Sequence, residues 1–461
     1  FERALMSYRR PLAAVLVASL LALPLAAQPS SPPATPVDQS QQQTSAEPGD
    51  PEAPPAAPSP PSEAPASSPS EDEEDDGPDF RQRSSGSVRL GGDEGFGLGS
   101  AVGDPTALFG PDRTETVLNG TTRSSSINVT GHYLHRPSDN QQLLLEVNLD
   151  PTYLGSDLSY SWQPEGWKGV WTTNFFITSS HFSPFEESVP EVTLPNGEND
   201  PYLQQAGFGI EYAHELSDHF TLAAAMNYQN FSFSDSLLGG VRFPRDLTGT
   251  PLALGGRAKG ELYSLNVHAF YDTLDDRELP TEGSRVRLGL EQGLGLGNTS
   301  TPYTRLTTNV SQLFRVPGFN DGPHTLVLNL QVGALLGDDA PQIRGFHLGG
   351  PFSVRGYDQG EMAGGTSFLQ GSLEYRHHLS SFSIKDNPMN LRAAAFVDYG
   401  TLLGTQRRLA GMPEFLWDKP TEGSGYGLGL HLGTDFGLFR LETAWSNRGN
   451  QTTYFSVGER F

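Results

Sequence analysis

"SGYGLGLHLG", residues 424–433, sets Tyr426, Leu428, Leu430 and Leu432 at every second position, with Gly427, Gly429 and His431 between them. A period of two belongs to a β-strand with one apolar face and one small or polar face. The pattern recurs. "QQLLLEVNLD" (141–150) aligns Leu143, Leu145, Val147 and Leu149 against Glu146, Asn148 and Asp150. "GFGIEYAHE" does so with Phe208, Ile210 and Tyr212, and "HFTLAAAMNYQ" with Phe220, Leu222, Ala224, Met226 and Tyr228. "TLVLNLQVGA" repeats it with Leu326, Leu328, Leu330 and Val332.

Two architectures produce such strands. A soluble sandwich buries the apolar face in a core and uses short strands with closely spaced turns. A barrel in lipid turns that face outward and its polar or glycine face to a lumen, with strands of about 9–11 residues or more. The strands here are long, and Trp171, Phe175 and Tyr212 suit an aromatic girdle at the membrane interface. Long polar connections, near 181–201, 232–259 and 401–423, alternate with short turns. The fold class expected is all-β, a transmembrane antiparallel β-barrel. About ten strands precede residue 349, with an eleventh at 84–100 or 237–258. Five follow it, near 366–378, 389–398, 424–434, 436–446 and 451–461. The sum is sixteen, an even number as bacterial barrels have.

The rest of the chain bounds the chemistry. It has 461 residues, no cysteine and a formal charge of −24. Cysteine nucleophiles and thiolate metal sites are thereby excluded. Nucleic acid is not an expected partner, because phosphate binding needs a basic surface. Residues 1–27 read as a signal peptide: Arg9 and Arg10 precede the apolar run from Pro11 to Ala27, which ends in small residues. Residues 28–80 are proline, alanine, serine and acid, with an acidic run from Glu71 to Asp76. They hold too little apolar surface to offset the entropy of ordering and read as a disordered linker. The barrel is expected over 81–461. No uncharged apolar stretch after the leader reaches the roughly 20 residues a membrane helix needs.

"GGPFSVRGYDQGE" (349–361) fits neither helix nor strand: it places Arg355 in a glycine-rich loop. Its core Val354-Arg355-Gly356-Tyr357 resembles the sixth-loop motif of the BamA-type and two-partner-secretion transporters. "AAAFVDYGTL" resembles their strand motif, on Phe396, Asp398 and Gly400. "YDTLDDRELPTEGSRVRLGLE" is similar to a turn signature of the family, with Asp276, Arg277, Pro280 and Gly283. The terminal "YFSVGERF", with Phe455, Val457 and Phe461 on one face, resembles the closing strand of such barrels. Together these identify residues 260–461 as similar to the bacterial surface antigen barrel domain.

The resemblance implies a loop folded into the lumen, its Arg355 paired with Asp398. Strand parity agrees, because Leu391, Ala393, Ala395 and Val397 form an apolar outward face and leave Phe396 and Asp398 inward. A lone carboxylate in a narrow lumen needs a partner, and Phe396 or Tyr357 is placed to stack on the guanidinium. Simple pairing predicts that Arg355→Asp combined with Asp398→Arg recovers some function. The resemblance further implies a bacterial outer-membrane location and insertion or translocation of polypeptide. It implies lipid around the barrel, a polypeptide client or separate periplasmic partner protein, and assembly of this chain by the barrel assembly machinery. Residues 28–80 lack the apolar content of the POTRA domains that usually receive clients, and 81–120 are too few for one, so the barrel is expected without them. The alternative is a pore or structural barrel without client transport. No cofactor, metal or catalytic residue is expected. His377 and His378 are adjacent in one strand and face opposite sides, and His431 has no nucleophile motif beside it.

Overall fold

The computed structural model describes residues 84–92, 127–138, 140–150, 153–181, 202–242, 245, 259–276, 279–296, 302–318, 322–337, 340–358, 361–384, 387–403, 409–410, 419–434, 437–457 and 460. The expected leader (1–27), the linker (28–80) and the terminal Phe461 lie outside the described residues.

Alternation along the chain becomes one continuous sheet. Its first strands are β1 (Ser84–Gly92), β2 (Ile127–Ser138), β3 (Gln141–Asp150), β4 (Tyr153–Trp162) and β5 (Gly169–His181). β6 (Tyr202–Ser217), β7 (Phe220–Ser234), β8 (Lys259–Asp272), β9 (Gly283–Leu294), β10 (Tyr303–Val316) and β11 (His324–Leu336) continue it. The next connection carries only short pieces, β12 (Ala340–Pro341), a 3-10 turn (Gln342–Arg344), β13 (Phe346–His347) and β14 (Gly364–Gly365). The sheet resumes with β15 (Ser367–Ile384) and β16 (Asn387–Leu402). After the short β17 (Leu409–Ala410) it ends with β18 (Glu422–Thr434), β19 (Gly437–Ser446) and β20 (Gln451–Val457).

Sixteen of these strands form a single sheet in chain order, each hydrogen-bonded to the next. The pairings are antiparallel throughout, so the fold is the expected all-β antiparallel barrel sheet. Eleven strands precede the loop and five follow it. The undecided strand is β1, at 84–92, paired with β2 from Ser84↔His135 to Gly92↔Ile127. The alternative at 237–258 shows, among the described residues, one isolated bridge from Val241 to Ser234. The sheet curls until β1 and β20 approach one another. Among the described residues no ladder joins them.

Burial follows the parity. On β16, Val397 is 55% exposed while Phe396 and Asp398 on either side are buried. On β18, Leu428 is 61% exposed. Outward apolar side chains meet lipid, and inward ones fill the lumen. Among the inward polar groups, Asn174 donates to Asp157 at 2.8 Å and Asn329 to Asn309 at 2.7 Å.

Connection lengths distinguish the two rims. Segments 182–201, 235–258, 337–366 and 403–421 leave from one rim, while 218–219, 385–386 and 435–436 close the other. Trp162 and Trp171 are opposed in register at the short-turn rim. Trp171 packs on Tyr212 there, ring centroids 4.9 Å apart. Tyr426 and Trp445 stack near the long-loop rim. Phe175 departs from the expected girdle: it sits in the middle of β5, against Phe208.

A second departure concerns the lumen. Its wall was expected to be polar or glycine throughout, but near the long-loop rim it is apolar. Leu203, Phe231, Phe233, Leu262 and Leu335 point inward there and are buried against loop residues Phe346, Leu348, Val354, Tyr357 and Met362. The cause is the loop, which brings apolar surface of its own and removes both faces from water.

A charge placed at mid-strand on the outer face should therefore be costly. Leu428→Arg is expected to destabilise the barrel by about 2–4 kcal/mol. Urea unfolding in lipid vesicles, followed by heat-modifiable gel migration, measures it.

Candidate functional site: a loop arginine bonded to three strands

Segment 337–366 enters the lumen from the long-loop rim, and β13 pairs with β14 to hold its two limbs together (Phe346↔Gly365, His347↔Gly364). At its tip Gly349 and Gly350 have positive φ, and Gly350 N–H donates to the Tyr357 carbonyl at 2.9 Å. Gly356 has φ of 97°, and a Cβ on it would lie 2.7 Å from the Ser446 backbone nitrogen. Only glycine combines that dihedral with so close an approach to β19.

The turn directs Arg355 into a fully buried position. Its Nε donates to Asp398 Oδ2 at 2.7 Å and its Nη2 to Asp398 Oδ1 at 3.0 Å. This is the bidentate geometry that suits a guanidinium to a carboxylate. Nη1 donates to Glu374 Oε2 at 2.7 Å and to Glu442 Oε1 at 2.8 Å. The Arg355 backbone N–H adds a bond to Asp398 at 3.1 Å. One loop cation thus joins carboxylates on β15, β16 and β19. Its guanidinium carbon lies 3.3 Å from the centroid of the Phe396 ring. Stacking therefore falls to Phe396. Tyr357 instead donates its hydroxyl to Asn447 at 2.5 Å.

The remaining predicted positions are placed as follows. Val354 is fully buried, and a Cβ on Gly400 would come within 2.6 Å of it, so Gly400 leaves room for the loop. Phe455 faces outward, and Val457 pairs by its backbone with Phe439. In the turn at 273–282, Asp275 accepts from the Thr281 and Glu282 backbone N–H groups, at 2.8 and 3.0 Å.

Sequence reading missed half of the site. Glu374 and Glu442 did not figure in it, although each is a single acid at an inward position, next to the outward Leu373 and Leu441 respectively. The arginines behind them were missed too. Arg376 contacts Glu374 at 2.8 Å, Arg440 contacts Glu442 at 3.5 Å, and Arg460 contacts Asp398 at 3.3 Å. Every carboxylate that binds Arg355 therefore keeps an arginine of its own. His431 also lies here, its Nε2 3.1 Å from Glu442. The simple exchange expectation changes accordingly. Arg355→Asp with Asp398→Arg would set the new carboxylate against Glu374 and Glu442 and is expected not to restore docking.

A second anchor lies across the lumen. Arg344, in the 3-10 turn, contacts Glu291 at 3.2 Å and donates to Gln229 at 2.8 Å. Tyr303 closes that group by donating to Glu291 at 2.6 Å. The loop is held to β7 and β9 on one wall and to β15, β16 and β19 on the other.

Between the anchors, burial first, then the nearby charges of Lys419 and Arg305, push His347 down to about 3. A released loop would return it to its ordinary value near 6.5. Between those values the released state binds the extra proton, so docking is fully supported above about pH 6.5 and weakens as pH falls below it. The chain has no cysteine, so a Met362→Cys variant carries one buried thiol within the loop. Its maleimide labelling, with exposure corrected for thiolate content, should be greater at pH 5 than at pH 7.5. Adding His347→Gln should flatten that difference.

Comparison with known proteins now has geometry to rest on. The Omp85 superfamily domain matches residues 139–461. The chloroplastic protein TOC75 of Pisum sativum is 30% identical over 219 residues, covering 46% of this chain and 25% of that protein. The chloroplastic outer envelope protein 39 of Arabidopsis thaliana is 26% identical over 263 residues, covering 57% of this chain and 67% of that protein. The chain thus spans only a quarter of the length of the pea relative. Among solved structures, BamA from Haemophilus ducreyi lacking POTRA domains 1–3 superimposes with a TM-score of 0.57 at 13% identity, covering 82% of this chain and 70% of that one. That likeness speaks to the fold alone. The superfamily match spans well over half of the chain, from β3 onward with the loop included, and the chain belongs to the Omp85 superfamily of outer-membrane barrels.

Proposed function

We propose that this barrel inserts polypeptide into, or moves it across, a bacterial outer membrane, with the 349–361 loop held in the lumen by Arg355 as a releasable lock. The observation that carries the proposal is the shared coordination of Arg355 by Asp398, Glu374 and Glu442. A purely structural plug would gain most from a buried apolar contact, since desolvating charges offsets much of their attraction. Charged coordination is suited instead to a contact that forms and breaks. When Arg355 leaves, each carboxylate retains Arg376, Arg460 or Arg440. No acid is then stranded in the lumen, which is the costly outcome of breaking a buried pair.

Superfamily membership supports the transport role. The leader-like stretch at 1–27 supports the bacterial address, although the chloroplast relatives show that related barrels serve another outer membrane. Lipid surrounds the outward leucines, and the client is an unfolded polypeptide able to form strands. The closing strand would serve as the recognition element for the barrel assembly machinery. None of this requires covalent chemistry.

Reconstitution tests it. A urea-unfolded outer-membrane barrel polypeptide, diluted onto vesicles carrying this protein, should acquire its heat-modifiable folded form several-fold faster than on empty vesicles. Arg355→Ala should lower that rate while the barrel itself still inserts and resists unfolding by detergent at room temperature. Equal rates with and without the protein would refute the proposal.

A further inference from the structure

The loop is bonded not only to the wall but also to the strand that closes the sheet. On β20, the buried Tyr454 accepts the Gly356 N–H at 2.8 Å and donates its hydroxyl to the Tyr357 carbonyl at 2.9 Å. Beyond the end of the β19–β20 ladder, Arg460 returns to the lumen on the same inward parity. Its Nη1 lies 3.3 and 3.4 Å from the two oxygens of Asp398, and its Nη2 donates to the Ser353 carbonyl. Two side chains of the closing strand thus bracket the Ser353–Tyr357 tip. One of them shares its carboxylate with Arg355.

Strand pairing explains why this matters. β20 is hydrogen-bonded to β19 over only Gln451–Val457, and among the described residues its other edge enters no ladder. Such an edge is a template for another strand. Beyond that ladder, Tyr454 and Arg460 tie the closing strand to the loop tip, and Arg460 ties it also to Asp398 on β16.

We propose that Arg460 and Tyr454 are positioning residues that couple the closing strand to the loop lock, so that a strand displacing β20 also releases the loop. This rests on the proposed transport role for its purpose, but not for its test. Movement of β20 away from the lumen removes the Arg460 bond to the Ser353 carbonyl and the Tyr454 clamp on Gly356–Tyr357 together. In the reverse direction, a docked loop holds β20 in place. Coupling of this kind is reciprocal by thermodynamic necessity.

Hydrogen–deuterium exchange on the purified full chain in lipid nanodiscs reads both directions. Arg460→Gln is expected to speed exchange of the 349–358 amides roughly tenfold or more, as loss of charge-assisted hydrogen bonds implies. Strands 141–162, which bond to neighbouring strands rather than to the loop, should keep the parent's protection. Tyr454→Phe should act in the same direction. Arg355→Gln should in turn speed exchange at 451–457. Arg460→Lys, which keeps a cation beside Asp398, should restore part of the loop's protection. The inference fails if Arg460→Gln leaves 349–358 unchanged, or if it speeds 141–162 equally, which is general loosening. It also fails if 451–457 ignores Arg355→Gln, or if the lysine variant restores nothing. Because exchange reports loop and strand rather than transport, a barrel that inserted no client would still return an answer here.

Discussion

A guanidinium buried among three carboxylates is the constraint on which the rest of this structure depends. A buried cation needs compensation, so Arg355, once inside the lumen, is obliged to meet Asp398, Glu374 and Glu442. Everything nearby accommodates that meeting. Gly356 bends the loop against β19, Gly400 makes way for Val354, and Phe396 offers its face to the guanidinium. Phe231, Phe233 and Leu262 pack in one apolar cluster with the loop residues Val354 and Tyr357, on either side of Arg355.

Strength and reversibility are reconciled by the wall arginines. With the loop docked, four guanidinium groups face three carboxylates in this cluster; with it withdrawn, three face three. The wall is therefore charge-matched without Arg355, while the docked state gains bidentate geometry and ring stacking. A plug with no resident cations would lock more tightly and open less readily. Arg344 on the opposite wall adds hold where the loop enters, far from the tip.

Much of this was legible in the residues. Alternation in "SGYGLGLHLG" and its counterparts dictated the strands, and the parity of Val397 against Asp398 placed the aspartate inside. Arg355 and Asp398 could be paired because two short motifs bring a cation and an anion to defined places. Glu374 and Glu442 could not be ranked in the same way, since an isolated inward acid looks like any hydrated lumen residue until the loop is placed over it. The apolar rim left a trace in β7: its apolar residues shift from even positions, through Tyr228, to odd ones at Phe231 and Phe233. That shift moves them from lipid to lumen, but its meaning depends on what fills the lumen. Arg460 was hidden for a simpler reason. Its parity turns it inward with Tyr454, but nothing in the sequence marks it as a partner of Asp398 until strand and loop are placed together.

The central claim is a direct contact between the loop cation and the wall anion in the membrane-embedded protein. Rotational-echo double-resonance NMR on the barrel in lipid, with 15N-labelled arginine and 13C-labelled aspartate side chains, measures it. The Arg355 nitrogens should dephase as groups in hydrogen-bond contact with the Asp398 carboxyl carbon, and Asp398→Asn, which removes that labelled carbon, should abolish the dephasing. A guanidinium that shows no dephasing from the Asp398 carbon, in a barrel shown to be folded, would contradict the account.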